Sequence, residues 1–360
     1  MASRGEGNGV LDMSAGLPGE MRRGCRTNAN ESASARRTGV KPAAGLPGFL
    51  LLTVGFLTGC ALTGGGDGGG VPHVDRWGIY ALGLATEEVE LIYSSSYTLS
   101  TLRLSPTGDR FCFSERIDGD SMDHAELRTL RTNGTDRRRL TDNVTWDLYP
   151  AWSPAGDRIA FLSNRDGTLD IFVMDAAGED VTKLYDSGRH DADIDWRGDV
   201  LAFTRDSAIW LMDDDGNDAR PITDPPRAGE WGNANLPFGD YDPAIHPDGT
   251  RIAFERLVSD VSPHGIYEIL VIDLSTRIET PLTGRAYTQG LPSWSHDGDR
   301  IVYLVSAIDD VGTYDIHMMR ADGSDNRSIT PGYFPPSFLC HSPIFSADDA
   351  TVYFVGEWWE

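Results

Sequence analysis

The sequence has few cysteines, few basic residues and none of the short motifs of common enzyme active sites. It contains four cysteines in 360 residues, and it lacks His-Glu-x-x-His, Cys-x-x-Cys, Gly-x-Ser-x-Gly and a glycine-rich phosphate loop. These absences remove the sequence basis for a zinc protease, a dithiol redox site, an α/β-hydrolase or a P-loop nucleotide site. The 31 basic residues face 55 acidic ones. Because so acidic a surface repels phosphate backbones, we expect no nucleic-acid partner.

One short sequence motif recurs six times along the chain. The clearest copy covers residues 152–161 and reads Trp-Ser-Pro-Ala-Gly-Asp-Arg-Ile-Ala-Phe. The positions aligned with its proline are 44 to 51 residues apart, namely Pro106, Pro154, Gly198, Pro247, His296 and Ala347. A steady period of this size is typical of a repeat architecture in which each unit buries its apolar face against its neighbours.

Each repeat predicts four short strands joined by tight turns. In the second unit, residues 158–163 alternate apolar and polar side chains, as a pleated surface requires. The turn before them carries proline and glycine, which favour tight reversals. Four-stranded antiparallel sheets repeated around an axis form a β-propeller, so the predicted fold class is all-β.

The two chain ends predict the number of blades and the way the ring closes. The sixth unit stops after two strands, at 342–346 and 351–355. Two strands without a unit of their own, at 79–82 and 90–93, precede the first repeat. We expect these four strands to form one blade. The N-terminal strands would then pair with the C-terminal ones and close a six-bladed propeller.

The repeated motif, followed by residues 163–167 and 170–175, resembles the WD-type propeller repeat of the TolB family. The resemblance covers roughly residues 77–360 in all six units, although the third unit has lost the proline of its first turn. It implies a six-bladed TolB-like propeller and, by analogy, a protein that docks envelope partners. It does not extend to the amino-terminal α/β domain of TolB, which has no counterpart between Cys60 and Trp77.

The N-terminal segment has the pattern of an export signal. Basic residues precede an apolar run at 49–56, which is short for a membrane span and ends at Leu-Thr-Gly-Cys60. This ending resembles the lipobox of bacterial lipoproteins and implies lipid attachment at Cys60; the alternative is an uncleaved membrane anchor. We therefore expect a signal peptide at 1–60, a glycine-rich tether at 61–76 and the propeller at 77–360. The protein would be exported and lipid-anchored in the cell envelope, at its periplasmic or outer surface.

Two cysteines remain inside the propeller repeats. Cys112 lies in the first unit and Cys340 in the sixth, and these units are neighbours in a closed ring. An oxidising compartment permits a disulfide between them. Two buried free thiols are the other interpretation.

Four large aromatic residues share one repeat position, and two histidines fall in the first turn of their units. Trp152, Trp196, Trp294 and Phe345 are expected to pack between blades as scaffold residues. His246 and His296 are expected to be turn residues.

Aspartates recur just before the first strand in consecutive units. Asp147, Asp191 and Asp240 occupy one repeat position. Two places later, Asp193 and Asp242 occupy the position that Tyr149 has in the second unit. The innermost strand of a propeller borders the axis, so these residues are expected to form an arc of carboxylates at one mouth of the channel. Such an arc needs a cation or a basic group to neutralise it, which predicts Ca²⁺ or a cationic peptide as ligand. The alternative is a solvated acidic loop.

These patterns favour a non-enzymatic, monomeric, lipid-anchored propeller that binds an envelope protein or peptide on one face. No cofactor is expected apart from Ca²⁺ at the channel mouth. One alternative is a metal-dependent propeller enzyme of the carbohydrate-lyase or lactonase type, for which His190 and His341 are the nearby imidazoles. Another is a carbohydrate-binding module that uses Trp146 and Trp231.

Overall fold

The computed structural model describes residues 75–116, 124–261, 264–306 and 314–358. The predicted signal peptide, the lipobox with Cys60 and the tether up to residue 74 lie outside the described residues. In the described ranges no helix has the length and apolar character needed to cross a membrane.

Twenty-four β-strands lie within the described residues. In chain order they are β1 (Trp77–Gly83), β2 (Val89–Ser95), β3 (Leu99–Leu104), β4 (Arg110–Arg116), β5 (Ala125–Arg131), β6 (Arg138–Arg139), β7 (Asp147–Trp152), β8 (Arg158–Ser163), β9 (Asp170–Asp175), β10 (Thr182–Tyr185), β11 (Asp191–Arg197), β12 (Val200–Arg205), β13 (Ala208–Asp213), β14 (Arg220–Pro221), β15 (Asp240–Ile245), β16 (Arg251–Ser259), β17 (Ile266–Asp273), β18 (Glu279–Pro281), β19 (Thr288–Trp294), β20 (Arg300–Ser306), β21 (Tyr314–Arg320), β22 (Arg327–Ser328), β23 (Phe338–Phe345) and β24 (Thr351–Trp358).

The strands form six four-stranded antiparallel sheets, which confirms the predicted six-bladed propeller. Blades 1 to 5 are consecutive meanders, from β3–β6 in blade 1 to β19–β22 in blade 5. Blade 6 has the order β2-β1-β24-β23, so strands from both chain ends share one sheet. Ile79 lies opposite Val355 in the β1–β24 ladder. The closure expected from the sequence is therefore confirmed.

Two strands of blade 6 are longer than the sequence predicted. The strand β23 begins at Phe338 rather than at 342, and β24 continues to Trp358 rather than ending at 355. The ladder between them extends to the pair Phe338–Trp358, whose rings also pack with centroids 5.0 Å apart. This aromatic pair stabilises strand ends that have weak alternation in the sequence.

A short serine–aspartate network holds the first turn of blades 1, 2, 5 and 6. In blade 2, Ser153 Oγ accepts a hydrogen bond from Arg158 N and donates one to Asp157 Oδ1, both at 2.9 Å. Gly156 supplies the positive φ of 74° that the turn requires. Serine oxygens accept the equivalent backbone N–H in blades 1, 5 and 6. The repeated motif thus forms a turn of the same geometry in these four blades.

The shared aromatic position packs between blades, as predicted. Trp152, Trp196, Trp294 and Phe345 are all buried, and each lies in an apolar cluster that includes residues of the preceding blade. The Trp294 indole N–H donates to Ala244 O of blade 4 at 3.0 Å. The His246 ring packs edge-on against Trp294 at 4.6 Å, so this turn residue also joins two blades.

The cysteine alternatives are resolved in favour of free thiols. Cys112 and Cys340 are both free and buried, and burial raises the pKa of each thiol. Cys340 lies inside β23, because this strand begins before residue 342, where the sequence predicted its start.

Candidate functional site in the central channel

Every innermost strand carries a β-bulge at the same place, and the bulged residue has positive φ. The pairing register shifts at this point in all six ladders between a first and a second strand. The six residues have φ between 45° and 54°: Thr101, Tyr149, Asp193, Asp242, Leu291 and Ser342. This conformation is unfavourable for residues other than glycine, and bulges of this kind re-aim side chains next to functional sites. The six bulges form a ring around the axis, one from each blade.

The first group of predicted aspartates lies at the start of innermost strands, and each member is neutralised by an arginine of its own blade. Asp147, Asp191 and Asp240 are the first residues of β7, β11 and β15, and all three are fully buried. The acid–base contacts pair Asp147 with Arg165 at 3.2 Å, Asp191 with Arg205 at 2.7 Å and Asp240 with Arg256 at 2.8 Å.

These three residues are therefore strand residues with intramolecular partners, and not free loop carboxylates as the sequence suggested. Arg205 is the last residue of β12, Arg256 lies within β16 and Arg165 lies in the loop after β8. Each pair therefore connects the innermost strand of a blade to its second strand or to the loop that follows. Burial raises the pKa of Asp191 to about 6, and the charge of Arg205 opposes this rise.

Asp193 and Asp242 belong to the bulge ring and do come together. Asp242 N donates to Asp193 Oδ2 across the boundary between blades 3 and 4 at 3.4 Å. Glu255, from the second strand of blade 4, joins them and accepts a hydrogen bond from Leu291 N at 3.0 Å. The structure thus assembles an acidic cluster of three carboxyl groups at the bulge ring, and one of them, Asp242, lines the channel cavity.

Burial dominates the titration of this acidic cluster. Desolvation raises the pKa of Asp193 and, more strongly, that of Asp242, where the charges of Asp193 and Glu255 add to the rise. Burial, reinforced by the charge of Asp193, raises the pKa of Glu255 to about 8. Arg103 opposes the rise at both aspartates through its charge. At neutral pH the cluster therefore carries less negative charge than its composition suggests.

Sequence reasoning missed Glu255 and Arg103. Glu255 lies in a second strand, and its position in the repeat gave no indication that it contacts the bulge ring. One signal was present: Gly290 lies in an innermost strand, and a Cβ there would be 2.2 Å from Glu255 Oε2. A glycine inside a strand marks such a close approach.

A cavity of about 240 Å³ occupies the channel on the side of the first turns. All six innermost strands line it, from the bulge ring down to the turns, and its wall includes Arg103, Tyr149, Arg197 and Asp242. The described residues contain no group of three His, Cys, Asp or Glu side chains placed to hold a metal ion. Binding of Ca²⁺ or a cationic segment by the predicted aspartates stays a prediction, and it would depend on Asp193 and Asp242.

The imidazoles named for a metal-dependent enzyme have other contacts. His190 Nδ1 accepts a hydrogen bond from Leu169 N at 3.1 Å. His341 lies 3.3 Å from Glu357, and its ring stands between those of Trp77 and Tyr314. The two histidines belong to blades 3 and 6.

The two faces of the propeller differ in their exposed apolar residues. We call the face with the blade-to-blade connections and the loops between second and third strands the loop face, and the opposite one the turn face. Eight large apolar side chains are exposed in the described residues, and six of them lie in blade-to-blade connections or in loops between second and third strands: Tyr97, Val144, Trp231, Val261, Tyr287 and Tyr333. The connections into the innermost strands therefore form the less polar side of the disc.

Three of these residues lie around one loop and form what we call the blade 4 patch: Trp231, Val261 and Tyr287, which are 56%, 67% and 51% exposed. Asn233 N donates to Asp260 Oδ2 at 3.1 Å, which ties the Trp231 segment to the loop carrying Val261. Thr288 Oγ1 donates to Gly265 O at 2.6 Å and ties the Tyr287 connection to the other end of that loop. The predicted sugar-stacking residue Trp231 is thus exposed, whereas Trp146 is half-buried.

An apolar cluster beneath the patch holds the Trp231 segment in place. Phe238 and Tyr241 pack there with Leu257 and Tyr267 from β16 and β17, the two longest strands of the middle blades. Phe238 N donates to Glu230 O at 2.9 Å. The exposed tryptophan is therefore presented on a fixed loop.

Fold and site together define a six-bladed β-propeller with a bulged inner ring, an axial cavity and one apolar face. A family model described as the TolB beta propeller domain matches residues 75–230. The chain is 26% identical over 213 residues to an uncharacterised protein of Agrobacterium fabrum, covering 56% of this chain and 68% of that protein. It is 30% identical over 183 residues to a protein TolB homolog of Chlorobium luteolum, covering 49% of this chain and 37% of that protein.

A solved structure of a putative TolB from Agrobacterium tumefaciens shares the fold. It superimposes with a TM-score of 0.60 at 17% identity, over 79% of this chain and 99% of that one. The chain is a TolB-like β-propeller, as the repeated motif indicated.

Proposed function

We propose that this chain is a non-enzymatic, lipid-anchored propeller of the cell envelope that binds a protein or peptide partner through its loop face. The observation that carries the proposal is the blade 4 patch. The likeness to TolB supports an envelope location and a role in protein interaction.

The composition of the patch suits protein recognition. Tryptophan and tyrosine are the residues most often found at the centres of binding energy in interfaces, because they bury large areas at low cost in side-chain entropy. The fixed loop under Trp231 lowers the ordering cost further. Since the chain carries a net charge of −24, we propose a partner whose contact surface is apolar at its centre and basic at its rim.

A site-specific photo-crosslinker tests which face is used. Placed at Tyr287, it is expected to trap one partner in envelope preparations. Placed at Ile278, which is 63% exposed in a turn of the same blade on the turn face, it is expected to trap none. Equal trapping at both positions would contradict the choice of face.

The trapped partner, once purified, allows a direct measurement of affinity. Trp231→Ala is expected to weaken binding at least tenfold, which corresponds to about 1.4 kcal/mol or more. Ile278→Ala serves as the matched control and is expected to leave the affinity unchanged. An unchanged affinity in Trp231→Ala rejects the patch as the interface. If Trp231 instead proves necessary for binding an oligosaccharide and no protein is trapped, the carbohydrate-binding alternative replaces the proposal.

The lipid anchor has its own test. Cells that express the chain and are fed an alkyne fatty acid are expected to label it, and Cys60→Ser is expected to abolish the label and release the protein from membranes. Cys112→Ser is the control, since the thiol of Cys112 is buried in the propeller. Labelling that persists in Cys60→Ser would exclude this residue as the anchor.

A further inference from the structure

Two arginines line the axial cavity without an acidic partner. Arg103 and Arg197 form no ion pair with any described carboxylate, although the chain has 55 acidic residues against 31 basic ones. Arg103 Nη1 donates only to the neighbouring carbonyl, Leu102 O, at 3.1 Å. The buried Arg197 Nε has no acceptor among the described residues.

Other arginines near the first turns are paired. Arg158, at the start of β8, contacts Asp214 at 3.1 Å, and Arg110, at the start of β4, contacts Asp136. A guanidinium that loses water without gaining an acceptor costs free energy. An acidic group in the cavity would give both arginines a partner and would offset the cost of the buried Arg197 Nε.

The same wall holds further donors without acceptors. Trp152 and Trp196 line the cavity and are 8% and 4% exposed, and neither indole N–H has an acceptor in the described part of the chain. The equivalent Trp294 does have one, the carbonyl oxygen of Ala244. Indole N–H and guanidinium groups only donate hydrogen bonds. A ligand that pairs with these indoles and with the two arginines must therefore supply acceptor atoms.

The acidic groups of the wall do not supply that acceptor. Asp195 Oδ2 accepts a hydrogen bond from Ile245 N at 2.7 Å. Asp242 lies beyond ion-pair distance of Arg103, and burial holds its pKa well above the ordinary value, so it contributes little negative charge near neutrality. The net character of the cavity is cationic, in contrast to the chain as a whole.

We propose that this cavity is a binding site for a carboxylate, supplied either by a small organic acid or by the free C-terminus of a peptide. Guanidinium groups bind carboxylates through two parallel charge-assisted hydrogen bonds. The apolar wall, which includes Pro106, Pro154 and Pro343, accommodates the carbon skeleton that carries the acid. The site lies on the turn side of the channel, so it is independent of the proposed partner surface on the loop face.

Indole N–H resonances of the full chain, observed by ¹⁵N NMR, provide the test. Trp152→Phe and Trp196→Phe identify the two relevant signals. Titration with N-acetylglycine is expected to shift both, whereas the neutral N-acetylglycinamide is expected to shift neither. A tripeptide with a free C-terminus, compared with its amidated form, shows whether a chain end enters as well as a small acid.

Charge-removing variants then test the two arginines. Arg103→Gln and Arg197→Gln are each expected to weaken N-acetylglycine binding at least tenfold, and Arg197→Lys is expected to weaken it less. Arg189→Gln is the control, because Arg189 is exposed and pairs with Asp206 on the loop face. A thermal melt of each variant separates lost binding from lost folding.

Three results would overturn the site. The first is that N-acetylglycine shifts neither indole signal in the wild-type chain. The second is that folded Arg103→Gln and Arg197→Gln bind it as tightly as the wild type. The third is that Ca²⁺ shifts both indole signals while N-acetylglycine does not, which would assign the cavity to a cation held by Asp193 and Asp242.

Discussion

Replacing Arg205 by methionine is expected to lower the free energy of unfolding by about 3 to 5 kcal/mol, the usual cost of leaving a buried charge without its partner. Arg205 Nε donates to Asp191 Oδ1 at 2.7 Å, and both residues are buried. Its guanidinium also lies 4.6 to 4.9 Å from the ring centroids of Tyr185, Phe203 and Trp210. Methionine retains much of the volume in this aromatic site but removes the charge and the hydrogen bonds.

An exposed pair in the same blade is the control for this measurement. Arg189 contacts Asp206 at 2.6 Å, and their side chains are 65% and 48% exposed. Arg189→Met is therefore expected to cost less than about 1 kcal/mol. Urea unfolding followed by far-ultraviolet circular dichroism compares the two variants, and adding Asp191→Asn to Arg205→Met is expected to recover part of the loss. Equal losses for Arg205→Met and Arg189→Met would contradict a structural role for the buried pair.

The stability of the wild-type chain is expected to fall as the pH rises through the range from 4.5 to about 8, and Glu255→Gln is expected to remove much of this fall. The pKa of Glu255 is raised from 4.5 to about 8 in the folded protein. The folded state therefore holds a proton that the unfolded state has lost, so raising the pH favours unfolding in this window. Each unit of pKa difference corresponds to about 1.4 kcal/mol, which makes the ionised form cost about 4 to 5 kcal/mol.

The glutamine variant separates this charge from the packing of the side chain. Glutamine keeps an oxygen that accepts the Leu291 N–H, so Glu255→Gln is expected to raise the free energy of unfolding by about 4 to 5 kcal/mol once the pH is well above 8. Below pH 4.5 the change is expected to stay under about 1 kcal/mol, because Glu255 is then protonated in both states. Glu90→Gln, at an exposed position of β2, is the control. If the pH profiles of the wild type and Glu255→Gln run parallel, ionisation of Glu255 is not the cause of the slope.

Much of the fold was predictable because the repeated motif determines the geometry of the turn between the first two strands of a blade. A serine that accepts the backbone N–H after the turn, and a glycine at positive φ, bring the first two strands together using residues that are near in sequence. Closure of the ring was predictable for another reason. Residues 79–82 and 351–355 each match part of a unit whose other half is missing, and unpaired strand edges are costly.

The candidate site was predictable only in part. The repeat alignment gave all five aspartates one role, whereas in the structure Asp193 and Asp242 belong to the bulge ring and Asp147, Asp191 and Asp240 pair with arginines. Those three pair with arginines of the second strand or of the loop after it. The distinction depends on the bulge, which shifts the register by a residue and sends side chains two positions apart to different surroundings.

The sequence by itself determined the number of blades, the way they close and the turn chemistry, since these follow from contacts between neighbouring strands that recur with a fixed period. Only the tertiary structure decided which charges meet at the axis. Arg103, Asp193, Asp242 and Glu255 come from three blades, and the sequence distances between those blades carry no signal of their approach. Burial at that meeting point then set their protonation, which composition alone would have misjudged.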